Sequence, residues 1–494
     1  MANGLESTAI VVFRKARALA GLPFFISGGF IMLLKLELCV GIDPARRANH
    51  TAFIAANPFT GPKCPKRAFS FPHTLKGFLS LRDYILKVTG KKSLKDVIIN
   101  TEPTSGVWRD IARFFFDQGA SVFYTRPDVV SALRKTHSRF AKTDRIDSRT
   151  LAGMPWSFPE RLIPFVPMEK RIRKLREFSN QRFCIVKEIT RWKNRFLARI
   201  EPAWKPLLIS IDKDEVFSQS IRAFWLRFSH PGDVIRLGPK RFHKWCEKHF
   251  HGGLSKEVEG KILVASDKAN ELWQALGKDE EERDSLSFCI SQDLTLIDPL
   301  EKQLKLVEDR ISKARKDVPE CDILEEMPGV GDVVSVTLAS FLMPITRFSN
   351  ARKLSAYTGF VSRVKSSGKR EIEGLRITKC GNRRLKRDLA LAADTAMHKD
   401  PQLAAFAVRL FEKGKHYNKV RVAVGRKIAV RAGSLLKRIA AGEKNVHFEY
   451  RDLEGRPIPK QEAKELADTI WLLHDRRKKE KKRKSADSKK IVAA

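Results

Sequence analysis

Short apolar runs alternate with amphipathic segments in the first third of the chain. The runs have strand length and are rich in β-branched residues, and they fall at 36–42, 51–56, 96–100 and 121–125. Between them, 77–88 and 107–119 carry apolar residues at helical spacing, and Gly119 marks a helix end. Alternating strands and helices predict an α/β domain over 36–160 whose sheet is at least partly parallel.

Long helices are predicted over 161–320. Apolar residues recur at three-, four- and seven-residue steps through 172–196 and again through 300–311, amid Lys, Arg and Glu. Such stripes are typical of helical hairpins or of a coiled coil. Packing within one chain and a dimer interface explain them equally well.

The remaining third divides into a helical domain and a basic tail. The segment 321–444 is mainly helical with a Gly-rich middle, and 445–494 forms the tail. Within the tail, 475–490 holds ten Lys/Arg against three acids, which predicts a disordered arm that binds nucleic acid. A solvated segment without a specific partner is the alternative.

The first 35 residues are predicted to form an amino-terminal extension. The apolar run 18–34 follows basic residues and so imitates a signal peptide or anchor. It falls short of the ~20 residues that a spanning helix needs, and Pro23 and Gly28 interrupt it. Three explanations fit the run: a true start at Met32, a peripheral helix, and a membrane segment.

The charge balance indicates a polyanionic partner. The chain has 95 Lys+Arg and 57 Asp+Glu, a net charge of +38, for which nucleic acid is the expected counterpart. The 7 cysteines contain no CxxC pair. That spacing excludes a disulfide scaffold and most cysteine zinc modules, and it fits a reducing cytosol.

Four acids are candidates for a metal-dependent site. Asp43 ends the first predicted strand, Glu102 follows a later one, and Asp144 and Asp147 share one face if their segment is helical. Acids at the carboxyl ends of neighbouring strands meet at one edge of a sheet. Converging carboxylates repel one another and need divalent cations, and two Mg²⁺ about 3.5–4 Å apart would activate phosphodiester chemistry.

Each acid also has an ordinary structural explanation. An Asp after a strand is commonly a turn residue, and Glu102 before Pro103 would open a loop. The two helical acids stand beside Lys142 and Arg145, which would form a salt-bridged helix face with them.

A second group of residues suits a phosphate backbone. A Ser366-Ser367-Gly368 turn lies among cations, and more cations crowd a helix that starts after Gly381. A serine hydroxyl in such a setting can attack phosphorus, although a Ser-Gly turn alone is more often structural. The candidate nucleic-acid contacts of the whole chain are Lys142, Arg145, Lys365, Lys369, Arg370, Lys379, Arg383, Arg384 and Arg387.

The order of these motifs resembles a known family. GID, TEPTSGVW, KTDRIDSRTLA, PGVG, LSAYTGF, SSG and ITKCGNRRLKRDLALAA follow one another as in the DEDD transposases of the IS110 insertion-sequence family, also called bridge-RNA-guided or seekrNA-type recombinases. The resemblance covers roughly 37–153 and 321–441. KTDRIDSRTLA and the stretch from SSG to GNRRLKRDL are its most specific parts.

This resemblance implies a RuvC-like (RNase H-like) amino-terminal domain, a coiled-coil linker and a carboxy-terminal transposase domain. The acidic tetrad maps onto Asp43, Glu102, Asp144 and Asp147. The nucleophile maps onto Ser367, but the family usually has Gln where Ser366 stands, so either serine is a candidate. The family implies composite active centres, a covalent phosphoserine intermediate, and a structured RNA that pairs with donor and target DNA.

We therefore hypothesise a DNA transposase that cleaves and exchanges strands with Mg²⁺, or with Mn²⁺ as a substitute. The expected partners are donor and target DNA, a guide RNA, and further copies of the chain in a homodimer or homotetramer. We expect it in the cytoplasm with the nucleoid, without stable membrane association. The alternatives are a RuvC-like junction nuclease without a serine intermediate, and an inactive relic that only binds nucleic acid.

Overall fold

A computed structural model provides the structure of the chain. It describes residues 38–58, 63–137, 141–211, 215–250, 256–361, 366–367, 370–371, 375, 377–378 and 380–492. The predicted amino-terminal extension lies outside these residues. The chain divides into two compact units, Met1–Met168 and Glu169–Ala494.

A mixed sheet forms the centre of the amino-terminal unit. Its strands lie in the order β3-β2-β1-β4-β5-β6, with β4 and β5 parallel to β1 and the β1–β2, β2–β3 and β5–β6 pairs antiparallel. The predicted partly parallel sheet is confirmed. The strands are β1 Leu38–Asp43, β2 His50–Ala56, β3 Phe69–Phe71, β4 Val97–Thr101, β5 Ser121–Tyr124 and β6 Ile163–Pro164.

Helices cover both faces of this sheet. Side chains of β1 such as Leu38 and Val40 pack with apolar residues of the first two helices, which include Leu81 and Ile111. The opposite face is covered by the fourth helix, which is why β1 and β4 are buried along nearly their whole length. The helices are α1 Leu75–Thr89, α2 Trp108–Asp117, α3 Pro127–His137 and α4 Asp144–Ser157.

Two long helices dominate the first half of the carboxy-terminal unit. α5 (Lys170–Ser210) and α10 (Glu280–Arg315) pack along one another, and their predicted apolar stripes face inward, as the burial of Ile185 and Ile311 shows. Packing within one chain is thus observed, and a dimer interface stays a prediction. A salt bridge of 2.8 Å joins Arg182 to Glu308 across the pair.

A separate aromatic core is formed by the end of α5 and by the shorter helices that follow it in the sequence, before α10. Trp204 of α5 packs edge-on against Trp225 and Phe224, and the cluster continues through Phe228 and Phe242. The shorter helices that supply it are α6 Gln219–Arg227, α7 Pro231–Leu237, α8 Pro239–His249 and α9 Lys256–Ala275. The predicted helical linker therefore contains a packed core of its own.

The second half of this unit is mainly helical, as predicted. Leu389 and Ala396 of one central helix and Ile428 of another are fully or nearly fully buried. The helices are α11 Glu320–Glu325, α12 Asp332–Leu342, α13 Ala351–Thr358, α14 Arg383–Lys399, α15 Pro401–Glu412, α16 Tyr417–Ala440 and α17 Lys460–Val492. A two-stranded hairpin of β7 (Ser366–Ser367) and β8 (Arg370–Glu371) precedes α14.

The basic tail is helical, which corrects the prediction of a disordered arm. Its helix α17 is anchored where Ala463 and Ala467 are completely buried and where Trp471 Nε1 donates to the Met397 carbonyl at 2.7 Å. Apolar contacts in the first half of α17 stabilise the helix, and the charge count of 475–490 did not reveal them. No helix in the described part of the chain is both long and apolar enough to cross a membrane.

Candidate active site: a carboxylate cluster at one edge of the sheet

Two of the four candidate acids lie at the carboxyl ends of adjacent parallel strands. Asp43 is the last residue of β1, and Glu102 directly follows β4, which ends at Thr101. Because Ile42 pairs with Thr101 in the parallel register, both acids emerge at the same edge of the sheet.

The other two acids occupy the first turn of α4. Thr143 caps this helix, and its Oγ1 accepts a hydrogen bond from the Ile146 amide at 3.2 Å. Asp144 and Asp147 are therefore three residues apart on one side of the helix. Asp144 is exposed, whereas Asp147 is 5% exposed.

A glycine in β1 allows α4 to approach the sheet. A Cβ atom at Gly41 would lie 2.1 Å from the Ser148 carbonyl oxygen and 2.3 Å from the Ala152 amide nitrogen. Both atoms belong to the backbone of α4, so only glycine permits this contact. The Gly of the GID motif thus brings the helical acids to the strand acids.

A buried amide fixes the same helix from the neighbouring strand. Asn100 in β4 is completely buried, and its Nδ2 donates to the Leu151 carbonyl at 2.9 Å. Thr125 Oγ1 donates to Asn100 Oδ1 at 3.1 Å. Asn100 stands two residues before Glu102, so it ties the strand that carries Glu102 to the helix that carries Asp147. Asn100 was not among the predicted site residues, although a polar residue at the end of an apolar run was a signal.

Burial and the charges of neighbouring acids raise the pKa of the two strand-end acids, Asp43 and Glu102. Burial is the largest cause that raises the pKa of Asp43 to about 7, followed by the charges of Asp144, Glu102 and Asp147. Burial and then Asp147 raise the pKa of Glu102. Lys142 opposes the shift at both positions. The predicted acids therefore converge, and the sequence neighbour Lys142 compensates their charge only in part.

Arg134 is a further member of the cluster and was not among the predicted site residues. Its Nη1 lies 3.1 and 3.2 Å from the two carboxylate oxygens of Asp147. Its charge also opposes the rise in the pKa of Glu102 that burial and Asp147 cause. Arg134 belongs to α3, which was not predicted. A basic residue on an amphipathic segment gives no signal of its partner in another helix.

The donor set of the cluster suits a hard divalent cation. Four carboxylates offer the oxygen ligands that Mg²⁺ prefers, and their mutual repulsion is the kind that a bound cation relieves. Among the described residues, no group of three or more Asp, Glu, His or Cys side chains is placed so that it could hold one metal ion. The acids thus converge electrostatically without forming a complete coordination shell.

The candidate serines lie in the carboxy-terminal unit. Ser366 and Ser367 form β7, and Ser367 pairs with Arg370 of β8. The strands are joined by two residues, Gly368 and Lys369, which lie outside the described residues, as do Lys365 and Lys379. The structure describes the backbone of the two serines and of Arg370.

Among the predicted nucleic-acid contacts of α14, one is exposed and two are partly packed. Arg383 is exposed. The Arg384 and Arg387 guanidinium groups lie 5.0 and 4.7 Å from the ring centre of Phe183 in α5. Arg387 Nε also donates to Asp388 at 2.6 Å. In the amino-terminal unit, Lys142 and Arg145 are exposed, and Arg145 donates to the Lys66 carbonyl at 3.0 Å.

Comparison with known proteins identifies the class. A family model for DEDD transposases of the IS110 type, described as "Transposase", matches residues 40–202. A second model, described as "Transposase IS116/IS110/IS902 family", matches residues 321–407. The first match contains the carboxylate cluster and the second contains the serine hairpin, so both units of the chain are those of a transposase.

Two curated relatives come from insertion elements. The chain is 24% identical over 374 residues to the "Insertion element IS110 uncharacterized 43.6 kDa protein" of Streptomyces coelicolor, covering 69% of this chain and 87% of that protein. It is 22% identical over 292 residues to the "Insertion element IS116 uncharacterized 44.8 kDa protein" of Streptomyces clavuligerus, covering 56% and 67%. The chain belongs to the IS110 family of DEDD transposases.

Proposed function

We propose that the chain cleaves and exchanges DNA strands with Mg²⁺ through a covalent serine–DNA intermediate, guided by a structured RNA. The observation that carries the proposal is the convergence of Asp43, Glu102, Asp144 and Asp147 at one edge of the sheet. Burial and then the charges of the other three acids raise the pKa of Asp43 to about 7. Carboxylates that are buried and mutually repelling are typical of a site that binds cations.

The four acids would hold the metal, and the protein around them would orient it. A bound pair of divalent cations would polarise the phosphodiester and stabilise charge on the attacking and leaving oxygens. Gly41 and Asn100 keep α4 against β1 and β4, which holds the helical acids beside the strand acids. Arg134 keeps Asp147 oriented at the base of the cluster.

Ser367 is the proposed nucleophile, with Ser366 as the competing candidate. Attack of the serine Oγ on phosphorus forms an Oγ–P bond and breaks the P–O bond to one DNA strand. The serine loses its proton, and the released strand oxygen gains one, so the number of phosphodiester bonds is conserved. This role is supported by the backbone pairing of Ser367 with Arg370 and by the basic neighbours Lys365 and Lys369 in the sequence, since cations at that density suit a phosphate backbone.

The fold and the partners extend this proposal. A RuvC-like (RNase H-like) assignment of 36–160 is supported by a sheet in which β1 lies between antiparallel β2 and parallel β4. A net charge of +38 supports the binding of donor DNA, target DNA and a guide RNA. We further propose a homodimer or homotetramer in which one copy's acids act with the serine of another.

The proposal is tested by a covalent-adduct assay. The full chain is expressed with its native flanking DNA, incubated with that DNA and Mg²⁺, denatured, and examined for DNA that migrates with protein. We expect an adduct for the wild type and for Asp96→Asn, an exposed acid at the amino end of β4 that serves as control. Ser367→Ala and Asp144→Asn are each expected to abolish it.

The other outcomes distinguish the alternatives. An adduct that is lost in Ser366→Ala and kept in Ser367→Ala assigns the nucleophile to Ser366. Free hydrolysed ends without an adduct indicate a junction nuclease that uses water. Binding of DNA or RNA without any processing contradicts the enzymatic proposal. Sequencing of the RNA that co-purifies at high salt tests the guide, because salt removes loosely held polyanions.

A further inference from the structure

The turn between β1 and β2 carries two arginines beside the carboxylate cluster. Asp43 at the end of β1 pairs with Thr51 in β2, so the turn 44–49 projects from the same edge of the sheet as Asp43 and Glu102. Arg46 and Arg47 lie in this turn, and both are exposed.

These two arginines differ from others in the same unit. Arg113 forms an ion pair with Asp117, and Arg126 forms one with Asp128. Among the residues that the structure describes, neither Arg46 nor Arg47 has a side-chain hydrogen bond or ion pair. Two cations that have no partner in the described part of the chain therefore lie next to a cluster of acids.

The turn is held by a chain of hydrogen bonds, and the Ala45 amide at its start determines the direction of each bond. The Ala45 amide donates to His50 Nδ1 at 3.1 Å, and a backbone amide can only donate. The proton of the neutral His50 ring is therefore on Nε2, which lies 3.0 Å from His73 Nδ1 and donates to it. By the same reasoning the His73 proton is on Nε2, which faces an Asp110 carboxylate oxygen at 3.5 Å.

Burial and hydrogen bonds hold the His50 ring in a fixed position. His50 is 1% exposed, and its ring packs edge-on against Phe71 with 5.2 Å between ring centres. A buried imidazole with both nitrogens hydrogen-bonded has one stable orientation. That orientation fixes Ala45 and, through it, the turn that carries the two arginines.

On the basis of the proposed function, we propose that Arg46 and Arg47 bind backbone phosphates of the DNA strand that enters the carboxylate cluster, and that His50 positions their turn. Four acids repel a phosphodiester unless cations flank it. Unpaired guanidinium groups offer bidentate hydrogen bonds to phosphate oxygens at that place. His50 is a positioning residue because it acts through Ala45 and does not contact DNA.

The arginines are tested by DNA binding in the absence of divalent metal. The full-length Arg46→Ala/Arg47→Ala variant is compared with Lys92→Ala/Lys95→Ala, which removes two exposed charges before β4, at the opposite edge of the sheet. A fluorescein-labelled DNA duplex is titrated in EDTA over a range of salt concentrations. Each lost phosphate contact is expected to weaken binding on the order of tenfold near 0.1 M salt and to reduce the salt slope by about 0.9.

The outcome is independent of cleavage because no metal is present. If the DNA affinity and its salt slope change equally little in both double variants, the proposed phosphate contacts are contradicted. That conclusion holds whether or not the protein forms a covalent adduct. Conversely, a clear loss confined to the arginine variant supports them even if the adduct assay fails.

The role of His50 is tested by two matched substitutions. In His50→Asn, Oδ1 takes the place of Nδ1 and still accepts from Ala45, whereas in His50→Gln only the donor toward His73 remains. We expect His50→Asn to bind DNA within about twofold of the wild type, and His50→Gln to bind as weakly as the arginine variant. Adding His50→Gln to the arginine variant is expected to weaken DNA binding no further, because the His50 and arginine substitutions act through the same phosphate contacts.

Additive losses, or equal losses in the two His50 variants with a normal thermal melting curve, would contradict the positioning role. If both variants fail to fold, His73→Ala at the half-exposed end of the hydrogen-bond chain replaces them. It is expected to weaken binding in the wild-type background and not in the arginine variant. A loss in both backgrounds would contradict the role.

Discussion

The Arg134 guanidinium lies within 3.2 Å of both carboxylate oxygens of Asp147, in a pair whose side chains are 16% and 6% exposed. This pair links α3 to the first turn of α4, which also carries Asp144. Asp147 is therefore held by a protein cation inside a cluster of acids that otherwise repel one another.

Removal of Arg134 is expected to destabilise the amino-terminal unit. Arg134→Gln leaves the buried Asp147 without its cation, and the loss of one partner from a buried pair costs about 3–5 kcal/mol. Arg113→Gln, in the exposed pair with Asp117, is the control and is expected to cost about 0.5 kcal/mol or less. Thermal unfolding in metal-free buffer measures both.

The pair in the cluster is also tested by a double substitution. Asp147→Asn in the Arg134→Gln background removes the uncompensated charge and is expected to restore part of the stability. A double variant that is no more stable than Arg134→Gln would contradict this account of the pair.

Gly41→Ala is expected to prevent the packing of α4 on the sheet. The added Cβ would meet two backbone atoms of α4 at 2.1 and 2.3 Å, and backbone cannot move aside as a side chain can. We expect a loss of about 3 kcal/mol or more in the stability of this unit, measured by thermal melting and by hydrogen exchange of α4.

Gly153→Ala is the matched control for this substitution. It lies on α4 itself, and an added Cβ would meet nothing within 4 Å. Alanine is the better helix former by about 0.5–1 kcal/mol, so the control is expected to be neutral or stabilising. Equal losses in the two variants would show that α4 tolerates no change, irrespective of the close contact.

The raised pKa of Asp43 predicts a pH dependence of stability in metal-free protein. The unfolded carboxyl has a pKa of about 4, and the folded one has a pKa of about 7. The folded state therefore holds the extra proton between these values, and the free energy of unfolding falls as the pH rises through that window. Asp43→Asn removes this effect, so its stability relative to wild type is expected to rise from pH 4 to pH 8.

Melting temperatures in EDTA at several pH values measure this difference. Asp96→Asn, an exposed acid before β4, is the control and is expected to leave the wild-type pH profile unchanged. A constant difference between Asp43→Asn and wild type across the window would contradict the electrostatic account of the cluster.

Ala467→Asp is expected to detach the tail helix α17. Ala467 is completely buried. A carboxylate buried there without a partner costs several kcal/mol, which is on the order of what the contact of α17 with the rest of the unit contributes to stability. Lys464→Asp, on the exposed side of the same helix, is the control. Hydrogen exchange of the peptide around Trp471 is expected to increase strongly in the first variant and little in the second.

The sequence predicted the central strands and the strand-end acids because these depend on local pattern. β1 is an apolar run up to Asp43, and β4 begins with the apolar residues Val97, Ile98 and Ile99. Asp43 ends β1, and Glu102 directly follows β4. By contrast, β3 and β6 have 3 and 2 residues, which is too short for any periodic pattern. Their existence depends on pairing with neighbours that are distant in the sequence.

Contacts between elements could not be predicted in the same way. Arg134 is one of many basic residues, and only the packing of α3 on α4 brings it to Asp147. The aromatic core around Trp204 could not be predicted because its members come mostly from several short helices between two long ones. Ala467 gave no signal in a highly charged tail, since alanine suits both exposed and buried helix positions.

The most direct test of the carboxylate cluster is the binding of Mn²⁺, followed by the electron paramagnetic resonance signal of the free ion. The full-length wild type is titrated beside Asp43→Asn, Asp144→Asn and the control Asp96→Asn, at a pH above 7 where Asp43 is ionised. We predict that wild type and control remove free Mn²⁺ from solution and that the two cluster variants bind it at least tenfold more weakly. Equal binding by all four proteins would contradict a metal site at these acids.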